Sequence, residues 1–278
     1  MKHVYLVDGN EFEISTQPGS DFFYGESEVL SERFGDLTSQ QPWFDDGYQV
    51  VKSDDFYDHK NVKDEIQNTL RAIIQEANPE IDLHGFTLET YHEYVNDSDH
   101  LEVIKRTRRL YPRDFGFDYQ GLIKKFSSYL GIDLTNKNPL SGEPHWIIVR
   151  INKPNSLGYN PVHKDIYESY DQLGTIPEMI NMWIPVCGVT EFSGLPIVPA
   201  SHLIPEDKIK RVKAGSVING QKYSVNSILS WDTKVNMKTM YPEKNEMIVF
   251  SSHLIHGLAS NQNNKTRISL EFRLYRQG

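Results

Sequence analysis

The chain has 278 residues, a formal net charge of −9 and a single cysteine, Cys187. This length allows a sizeable hydrophobic core, the acidic charge disfavours non-specific binding to nucleic acid, and one cysteine excludes an internal disulfide or a cysteine-based zinc cluster within the chain. No apolar run reaches the roughly 18 residues of a membrane span, and Asp8 and Glu11 interrupt the N-terminal run that a signal peptide would need. We therefore expect a cytoplasmic protein that binds neither nucleic acid nor membrane, with its oligomeric state left open.

The first 144 residues are predicted to be mainly helical after an N-terminal hairpin. The segments "HVYLV" and "EFEI" flank "DGN", a tight-turn sequence typical of paired strands. Helices are predicted over residues 61–77, 88–94, 98–110 and 119–131, the last ending at Gly131. The apolar stripe of the first of these helices consists of Val62, Ile66, Leu70, Ile73 and Ile74.

From residue 145 onward the pattern changes to short strands. Runs rich in β-branched and aromatic residues are separated by Gly, Pro and Asn: "HWIIVRIN", "NMWIPVCGV", "LPIVPAS", "EMIVFSS" and "RISLEFRLY". Strands without helices between them predict an antiparallel sandwich or barrel with helices covering one face. The chain is therefore predicted to be one mainly β domain with helices (α+β), with helical support over residues 1–144 and a β core over 145–278. Residues 203–244 form a long insert, which we interpret as a lid.

The last strand illustrates this layering. In "RISLEFRLY" apolar and polar residues alternate, so the two sets point to opposite faces of the sheet. The apolar face should pack under the helices. The polar face then lines either solvent or a pocket, and for this strand taken alone a solvated surface is the favoured interpretation. The apolar set is Ile268, Leu270, Phe272 and Leu274, and the polar set is Arg267, Ser269, Glu271 and Arg273.

Two histidine–carboxylate pairs have the spacing i, i+2: His163/Asp165 and His100/Glu102. Side chains at these positions point to the same side of a strand, whereas on a helix they lie about 200° apart. His100 and Glu102 fall in a predicted helix and are set aside. His163 and Asp165 follow the turn signal "GYNP" and begin an extended segment, so both can reach one ion, while alternation directs Lys164 away from it.

A third ligand is available near the C-terminus, where "FSSHLIHGL" supplies His253 and His256. Two imidazoles with one carboxylate form the facial triad of non-haem Fe(II) oxygenases. Arg267 follows His256 by eleven residues, so a hairpin would return it to the same end of the barrel. A guanidinium at that place can bind the far carboxylate of a 2-oxo diacid, and Ser269 on the same face can donate a hydrogen bond.

Several motifs recur in a fixed order: H-x-D, then "NMWIPVCGVTEFSGLPIVPASH" at residues 181–202, then the distal "HGLASNQNNKTRISLEFR". This set, over roughly residues 145–273, resembles the phytanoyl-CoA dioxygenase-like branch of the Fe(II)/2-oxoglutarate-dependent oxygenases. Ser193-Gly194 and Ala200 depart from the Asn-Gly and Gly common in this branch, and neither departure removes a metal ligand. The resemblance implies a double-stranded β-helix core of the jelly-roll, cupin-like type.

The resemblance also implies the activity and the site residues. His256 followed by Gly257 fits the family spacing, whereas His253 is interpreted as structural. The implied reaction uses Fe(II), 2-oxoglutarate and O2 to hydroxylate a small polar metabolite or natural-product intermediate, with release of succinate and CO2. The implied iron ligands are His163, Asp165 and His256, and the implied 2-oxoglutarate ligands are Arg267 and Ser269.

Other residues near the strands are candidates for the same pocket. Trp183 corresponds to an aromatic wall near 2-oxoglutarate in the family, or else packs in the core. Arg150 and Asn152 share one face of "HWIIVRIN" and contact either cosubstrate or substrate, or a structural hydrogen-bond partner. The residues that flank H-x-D and are candidates for substrate contact are Tyr159, Lys164 and Tyr167.

A basic cluster lies at the end of the third predicted helix. It can attract a phosphate or carboxylate of the substrate, but a solvated helix face that pairs with nearby acids is the favoured interpretation. Its members are Lys105, Arg106, Arg108, Arg109 and Arg113.

Two alternatives to an oxygenase remain open. One is a non-catalytic jelly-roll binding protein, and the other is a zinc-dependent hydrolase that uses the same three ligands and an activated water. The pair Arg267 and Ser269 favours the oxygenase, because neither alternative needs a clamp for a distant carboxylate.

Overall fold

The computed structural model describes residues 1–33, 35–156, 160–223, 225–233 and 235–278. The helices are α1 (Leu30–Arg33), α2 (His59–Ala77), α3 (Tyr91–Tyr94), α4 (Asp97–Thr107), α5 (Tyr119–Leu130) and α6 (Tyr167–Leu173). The strands of the first 152 residues are β1 (Lys2–Val7), β2 (Asn10–Ser15), β3 (Phe22–Tyr24), β4 (Tyr48–Lys52), β5 (Leu134–Thr135) and β6 (Ile148–Asn152). The later strands are β7 (Met179–Cys187), β8 (Leu195–Ile197), β9 (Ile209–Val212), β10 (Val217–Ile218), β11 (Gln221–Lys222), β12 (Ser227–Trp231), β13 (Lys238–Met240), β14 (Glu246–Ser251) and β15 (Arg267–Arg276).

A large antiparallel sheet forms one wall of the molecule. Its strand order is β4-β14-β7-β15-β5, and β6 also pairs with β15. The register sets Arg267 opposite Asn152 on one side of β15, and Glu271 opposite Trp183 on the other. Directly opposed residues share a face of a sheet, so the polar side chains of three strands line the same surface.

A second wall faces this sheet. β8 pairs with β13, while single antiparallel bridges join His256 to both His163 and Ile197. The backbone N–H of Ile228 in β12 donates to the carbonyl of Val162 (2.7 Å), which links the small sheet β12-β9-β3 to the same wall. Two facing antiparallel layers with helices outside them confirm the predicted jelly-roll architecture.

Helices α2, α3, α4 and α5 pack on the outer face of the large sheet. The predicted stripe of α2 is buried, and it belongs to one core cluster with Leu270, Phe272 and the apolar side of β7. Full burial of a leucine or isoleucine stabilises by about 1.5–3 kcal/mol, so Ile66 and Leu70, both fully buried, hold α2 against the sheet. The apolar face of the last strand therefore lies where the alternation predicted.

The polar face of β15 is not solvated, and that interpretation was wrong. Arg267 and Ser269 are fully buried, and Arg267, Glu271 and Arg273 line a cavity between the two walls. The strand pattern shows only that these side chains share a face. The second wall, which the sequence of β15 does not contain, removes that face from solvent.

Element boundaries differ modestly from the predictions. The hairpin β1–β2 is confirmed, and the fourth predicted helix ends at Gly131 with a φ of 69°. α2 begins two residues before the predicted start, because the Asp58 side chain accepts hydrogen bonds from the first-turn N–H groups of Lys60 and Asn61. The predicted helix 88–94 shortens to α3, and the predicted helix 98–110 ends at Thr107.

The first 144 residues contribute strands as well as helices. β4 and β5 extend the large sheet, and β3 joins β9 on the opposite wall. The insert 203–244 likewise contains strands: β9 and β12 pair with each other, and β13 pairs with β8. No described residue of the insert lines the cavity, so the lid stays a prediction, as does the single-domain division.

Candidate metal and cosubstrate site

Three side chains converge on one point of the cavity: His163, Asp165 and His256. One ligand atom from each lies within 4.8 Å of the others. The Nε2 atoms of His163 and His256 lie 3.3 and 3.6 Å from the two oxygens of Asp165. The two histidines are held side by side by reciprocal backbone hydrogen bonds of 2.9 and 3.0 Å. Only His163 is in the extended bridge that the spacing predicted, since Asp165 already lies in the turn before α6.

Both imidazoles present the nitrogen that a metal needs. Nδ1 of His163 lies 2.7 Å from the carbonyl of Pro161, and Nδ1 of His256 lies 3.0 Å from that of Leu254. A carbonyl only accepts, so the ring proton is on Nδ1 and the Nε2 lone pair faces Asp165. Burial lowers the pKa of His256 to about 4, which keeps this ring neutral and able to act as a ligand at neutral pH.

Asp165 is held as a carboxylate by its neighbours. Its Oδ2 accepts a hydrogen bond from Nδ2 of Asn181 (2.7 Å), and its Oδ1 accepts one from Nη2 of Arg273. Burial by itself would raise the pKa of Asp165, but the charge of Arg273 holds the pKa well below its usual range. The group is thus an ionised oxygen ligand beside two imidazole nitrogens, a donor set that suits Fe(II).

Arg267 is a fully buried cation at the other end of the cavity. Its Nε donates to the carbonyl of Ser193 (2.9 Å), and its Nη1 donates to Oδ1 of Asn152 (2.9 Å) and to Oγ of Ser269 (3.2 Å). Burial lowers the pKa of Arg267 to about 10, so it stays charged at neutral pH. Among the described residues it has no carboxylate within 4 Å, and a buried charge of this kind needs a counter-ion.

The cavity thus fits both expected ligands. Its wall joins the triad to Arg267. The three converging donors suit a divalent metal, and the uncompensated guanidinium suits the far carboxylate of 2-oxoglutarate. His163, Asp165 and His256 would hold the iron, and Arg267 would hold the cosubstrate.

The predicted cosubstrate residues surround this arginine in different ways. Trp183 is buried, lines the cavity and lies 5.2 Å from the Arg267 guanidinium. Asn152 fixes Arg267 and also donates to the carbonyl of Ala259 (2.9 Å). The Arg150 guanidinium donates two hydrogen bonds to the Glu271 carboxylate, of 2.6 and 2.7 Å. Direct contact of Arg150 with a cosubstrate stays a prediction.

Several other candidates lie away from the cavity. Lys164 points away from the triad, as alternation predicted, and its Nζ donates to Glu206 (2.7 Å). The hydroxyl of Tyr167 donates to the same carboxylate (2.8 Å), so neither side chain reaches a substrate in the cavity. His253 is buried outside the cavity lining. Tyr159 lies outside the described residues.

The second histidine–carboxylate pair is not a metal site in this structure. His100 and Glu102 lie on α4, as predicted, and the His100 ring contacts the hydroxyl of Tyr91 (3.0 Å). The helix directs Glu102 elsewhere, where it pairs with Lys105.

Sequence reasoning missed several residues that line the cavity, among them His145, Trp146, Asn181 and Phe250. It also placed Arg273 and Glu271 on the polar face of β15 without assigning them to the site. The alternation that groups these two with Arg267 was a usable signal. His145 and Asn181 carry no local signal, because their partners come from distant strands.

Comparison with known proteins decides the family. The profile of the phytanoyl-CoA dioxygenase (PhyH) family matches residues 43–269. The chain belongs to this family. PhyH enzymes use Fe(II), 2-oxoglutarate and O2 and act on small molecules, so the resemblance and the cofactors inferred from the sequence are confirmed. The PhyH match begins about a hundred residues before the region in which the motifs were recognised and includes the helices.

The chain is also similar to solved structures at low sequence identity. AviO1 from Streptomyces viridochromogenes Tue57 has 11% identity and a TM-score of 0.49, covering 91% of this chain and 97% of that one. EctD from S. alaskensis with 2-oxoglutarate and 5-hydroxyectoine has 13% identity and a TM-score of 0.48, covering 94% and 86%. The epimerase SnoN in complex with Fe3+, alpha ketoglutarate and nogalamycin RO has 12% identity and a TM-score of 0.47, covering 84% and 80%. No curated protein sequence matches the chain significantly.

No helix in the described ranges is both long enough and apolar enough to cross a membrane. The cytoplasmic location stays a prediction.

Proposed function

We propose that this PhyH-family protein is a hydroxylase of a small polar metabolite or natural-product intermediate. The observation that carries the proposal is a two-histidine, one-carboxylate cluster in the same cavity as a buried arginine that has no carboxylate within 4 Å in the part of the chain that the structure describes. An oxygenase that uses a 2-oxo diacid needs both features at once, one to hold the metal and one to hold the far carboxylate.

The residues of this chain have separate roles in that reaction. His163, Asp165 and His256 would hold the iron, with their tautomers and charge fixed by the backbone carbonyls and by Arg273. Arg267 would bind 2-oxoglutarate. When bound, iron with 2-oxoglutarate and O2 supplies the oxidising power to hydroxylate a C–H bond, with release of succinate and CO2. The two walls of the barrel exclude bulk water from this space, which strengthens each charged contact inside it.

The test begins without oxygen. Fe(II) and 2-oxoglutarate added anaerobically to the purified protein should produce the weak visible charge-transfer band of a chelated 2-oxo acid, and oxygen should then release succinate. His256→Ala should abolish both signals because it removes a metal ligand. Arg267→Ala should keep the metal but weaken 2-oxoglutarate binding by more than about tenfold, the loss expected for a charged hydrogen-bonded partner.

The matched control is His84→Ala, since His84 is exposed and only its backbone groups are hydrogen-bonded. This variant should behave like the wild type. A wild-type protein with neither band nor succinate would reject the oxygenase, and it is the result expected from a zinc-dependent hydrolase or a non-catalytic binding protein. Loss of the band in His253→Ala but not in His256→Ala would overturn the ligand assignment.

A further inference from the structure

Arg273 has donors left over after its contacts within the protein. Its Nη2 donates to Asp165, and its Nη1 lies 3.5 Å from Nε2 of His145, at the limit of a hydrogen bond. The side chain is 19% exposed and lines the cavity. A guanidinium has five N–H donors in a planar fork, so Arg273 has donors beyond these two contacts on a side chain that lines the cavity.

The charge of Arg273 is compensated only while Asp165 is free of metal. Asp165 is its one carboxylate partner within 4 Å among the described residues. In a loaded site Asp165 would share its charge with the metal and Arg267 would be matched by the cosubstrate, while Glu271 is already paired with Arg150. One positive charge, that of Arg273, would then have no negative partner among these groups.

Arg273 cannot serve the same carboxylate as Arg267. The two residues are six positions apart on β15 and on the same face. A strand rises about 3.3 Å per residue, which separates their Cα atoms by about 20 Å. The cavity therefore has two cationic ends, and the end at Arg273 has no assigned ligand.

An aromatic surface connects Arg273 with the basic cluster at the end of α4. The rings of His145 and Trp146 are stacked, with centroids 4.5 Å apart, and both line the cavity. The Arg109 guanidinium lies 6.0 Å from the centre of the Trp146 ring. Arginine, indole, imidazole and arginine thus follow one another from the surface into the site.

The members of the basic cluster differ in whether they form ion pairs. Lys105 and Arg106 form ion pairs with Glu102 and Glu76, as a solvated helix face should. Arg108 and Arg109 are exposed and have no carboxylate within 4 Å among the described residues. On a chain with a net charge of −9, unpaired arginines beside a cavity attract anions.

We propose, resting on the proposed function, that the substrate is an organic anion whose carboxylate or phosphate monoester is bound by Arg273. Arg109 and Trp146 form the path by which it enters. A planar guanidinium suits both oxyanions bidentately, and Trp146 with His145 offers an apolar surface for the carbon skeleton. The expected substrate is thereby narrowed from a small polar compound to an acidic one. Arg273 would then contact the substrate as well as position Asp165.

The test uses pairs of compounds in which one member carries an anionic group and the other is neutral. The anaerobic protein with Fe(II) and saturating 2-oxoglutarate is titrated with 3-phenylpropionate against 3-phenylpropionamide, and with glycerol 3-phosphate against glycerol. The readouts are the change in the charge-transfer band and the succinate released after oxygen is admitted. At least one acid should act at about tenfold lower concentration than its neutral partner, as expected for a charged hydrogen-bonded group.

Two substitutions assign that preference to the arginines. Arg273→Gln should abolish it, and Arg109→Gln should reduce it by about two- to fivefold, the range of an exposed charge. If Arg273→Gln fails to fold or to bind metal, Arg109→Gln alone tests the proposal, because Arg109 is exposed and outside the cavity lining. Lys105→Gln is the control, since Lys105 belongs to the ion-paired part of the cluster.

Equal action of acid and neutral partner would overturn the proposal. So would an acid preference that survives both arginine substitutions, or a band that no member of either pair perturbs. Failure of the proposed function has a different signature, because the band is then absent before any of these compounds is added.

Discussion

Asn181 shows how a single amide can set the properties of a metal ligand. Its Nδ2 donates to Oδ2 of Asp165 (2.7 Å), while Arg273 occupies Oδ1. One oxygen of the carboxylate is thereby held by a neutral donor and the other by a charged donor. Contacts of this type orient a ligand, and their loss commonly weakens metal binding by 10- to 100-fold, on the order of 1.4–2.8 kcal/mol.

Asn181→Ala should therefore lower the affinity for divalent metal within that range without unfolding the protein. Titration with Co(II) or Fe(II), followed optically, gives the affinity, and thermal unfolding of the metal-free protein monitors the fold. Asn68→Ala is a suitable control, because Asn68 is exposed on α2. Wild-type metal affinity in Asn181→Ala would show that Arg273 alone orients Asp165.

At the scale of elements, the site depends on how closely two chain segments approach. Gly257 follows His256 and has a φ of +150°, and a Cβ placed there would lie 2.6 Å from the carbonyl oxygen of Pro161 and 2.7 Å from Cα of Val162. Its own N–H donates to the carbonyl of Pro196 (3.1 Å). The His163–His256 bridge thus forms at a crossing where only glycine fits.

Gly257→Ala should push these segments apart, lowering the free energy of unfolding by about 1–3 kcal/mol, the usual cost of overpacking, and weakening metal binding. Urea unfolding and metal titration measure the two effects. Gly142→Ala separates strain from crowding, because Gly142 also has a positive φ (+73°) but a Cβ added to it would meet no atom within 4 Å. Equal losses in both variants would mean that backbone conformation, and not the crossing, is responsible.

β15 shows the two kinds of information an element carries. Its alternation assigns each side chain to a face, and that assignment is correct for all the residues of the apolar set. Its polar set holds Arg267, Glu271 and Arg273 at different depths of one cavity. Their roles differ because the partner of each comes from another segment, with Asn152 and Arg150 on β6 and Asp165 in the turn before α6.

At the scale of the whole molecule, several histidines are buried in the folded state. Burial, with the charge of Arg273, lowers the pKa of His145 to about 3, and burial lowers the pKa of His253. Both rings bind a proton near pH 6.5 in the unfolded chain but not in the folded one. The unfolded state therefore binds more protons below pH 6.5, and acidification favours it.

The stability of the metal-free protein should fall as the pH decreases from 6.5 towards 4. Each such histidine lowers the free energy of unfolding by up to about 1.4 kcal/mol per pH unit of acidification. Asp171 has the opposite effect near the lower end of this interval, because burial raises its pKa and the folded state binds its proton more readily than the unfolded state. Urea unfolding at pH 7, 6 and 5 tests the slope, and His253→Gln should flatten it. A midpoint independent of pH in this interval would contradict the burial of these rings.

The sequence by itself determined the features that depend on short spacing. Alternation placed the faces of β15, the spacing of two singled out His163 and Asp165 as a pair, and a distal histidine followed by Arg267 indicated the family. These are local properties, since the period of a strand or helix is set by the backbone.

Tertiary structure alone decided which charges meet. Asp165 is paired with Arg273, Arg150 is taken by Glu271, and the polar face of β15 is enclosed rather than solvated. Each depends on the register between strands far apart in the chain and on the second wall that faces them. Pairing across strands follows from packing the whole core, and no single segment contains that information.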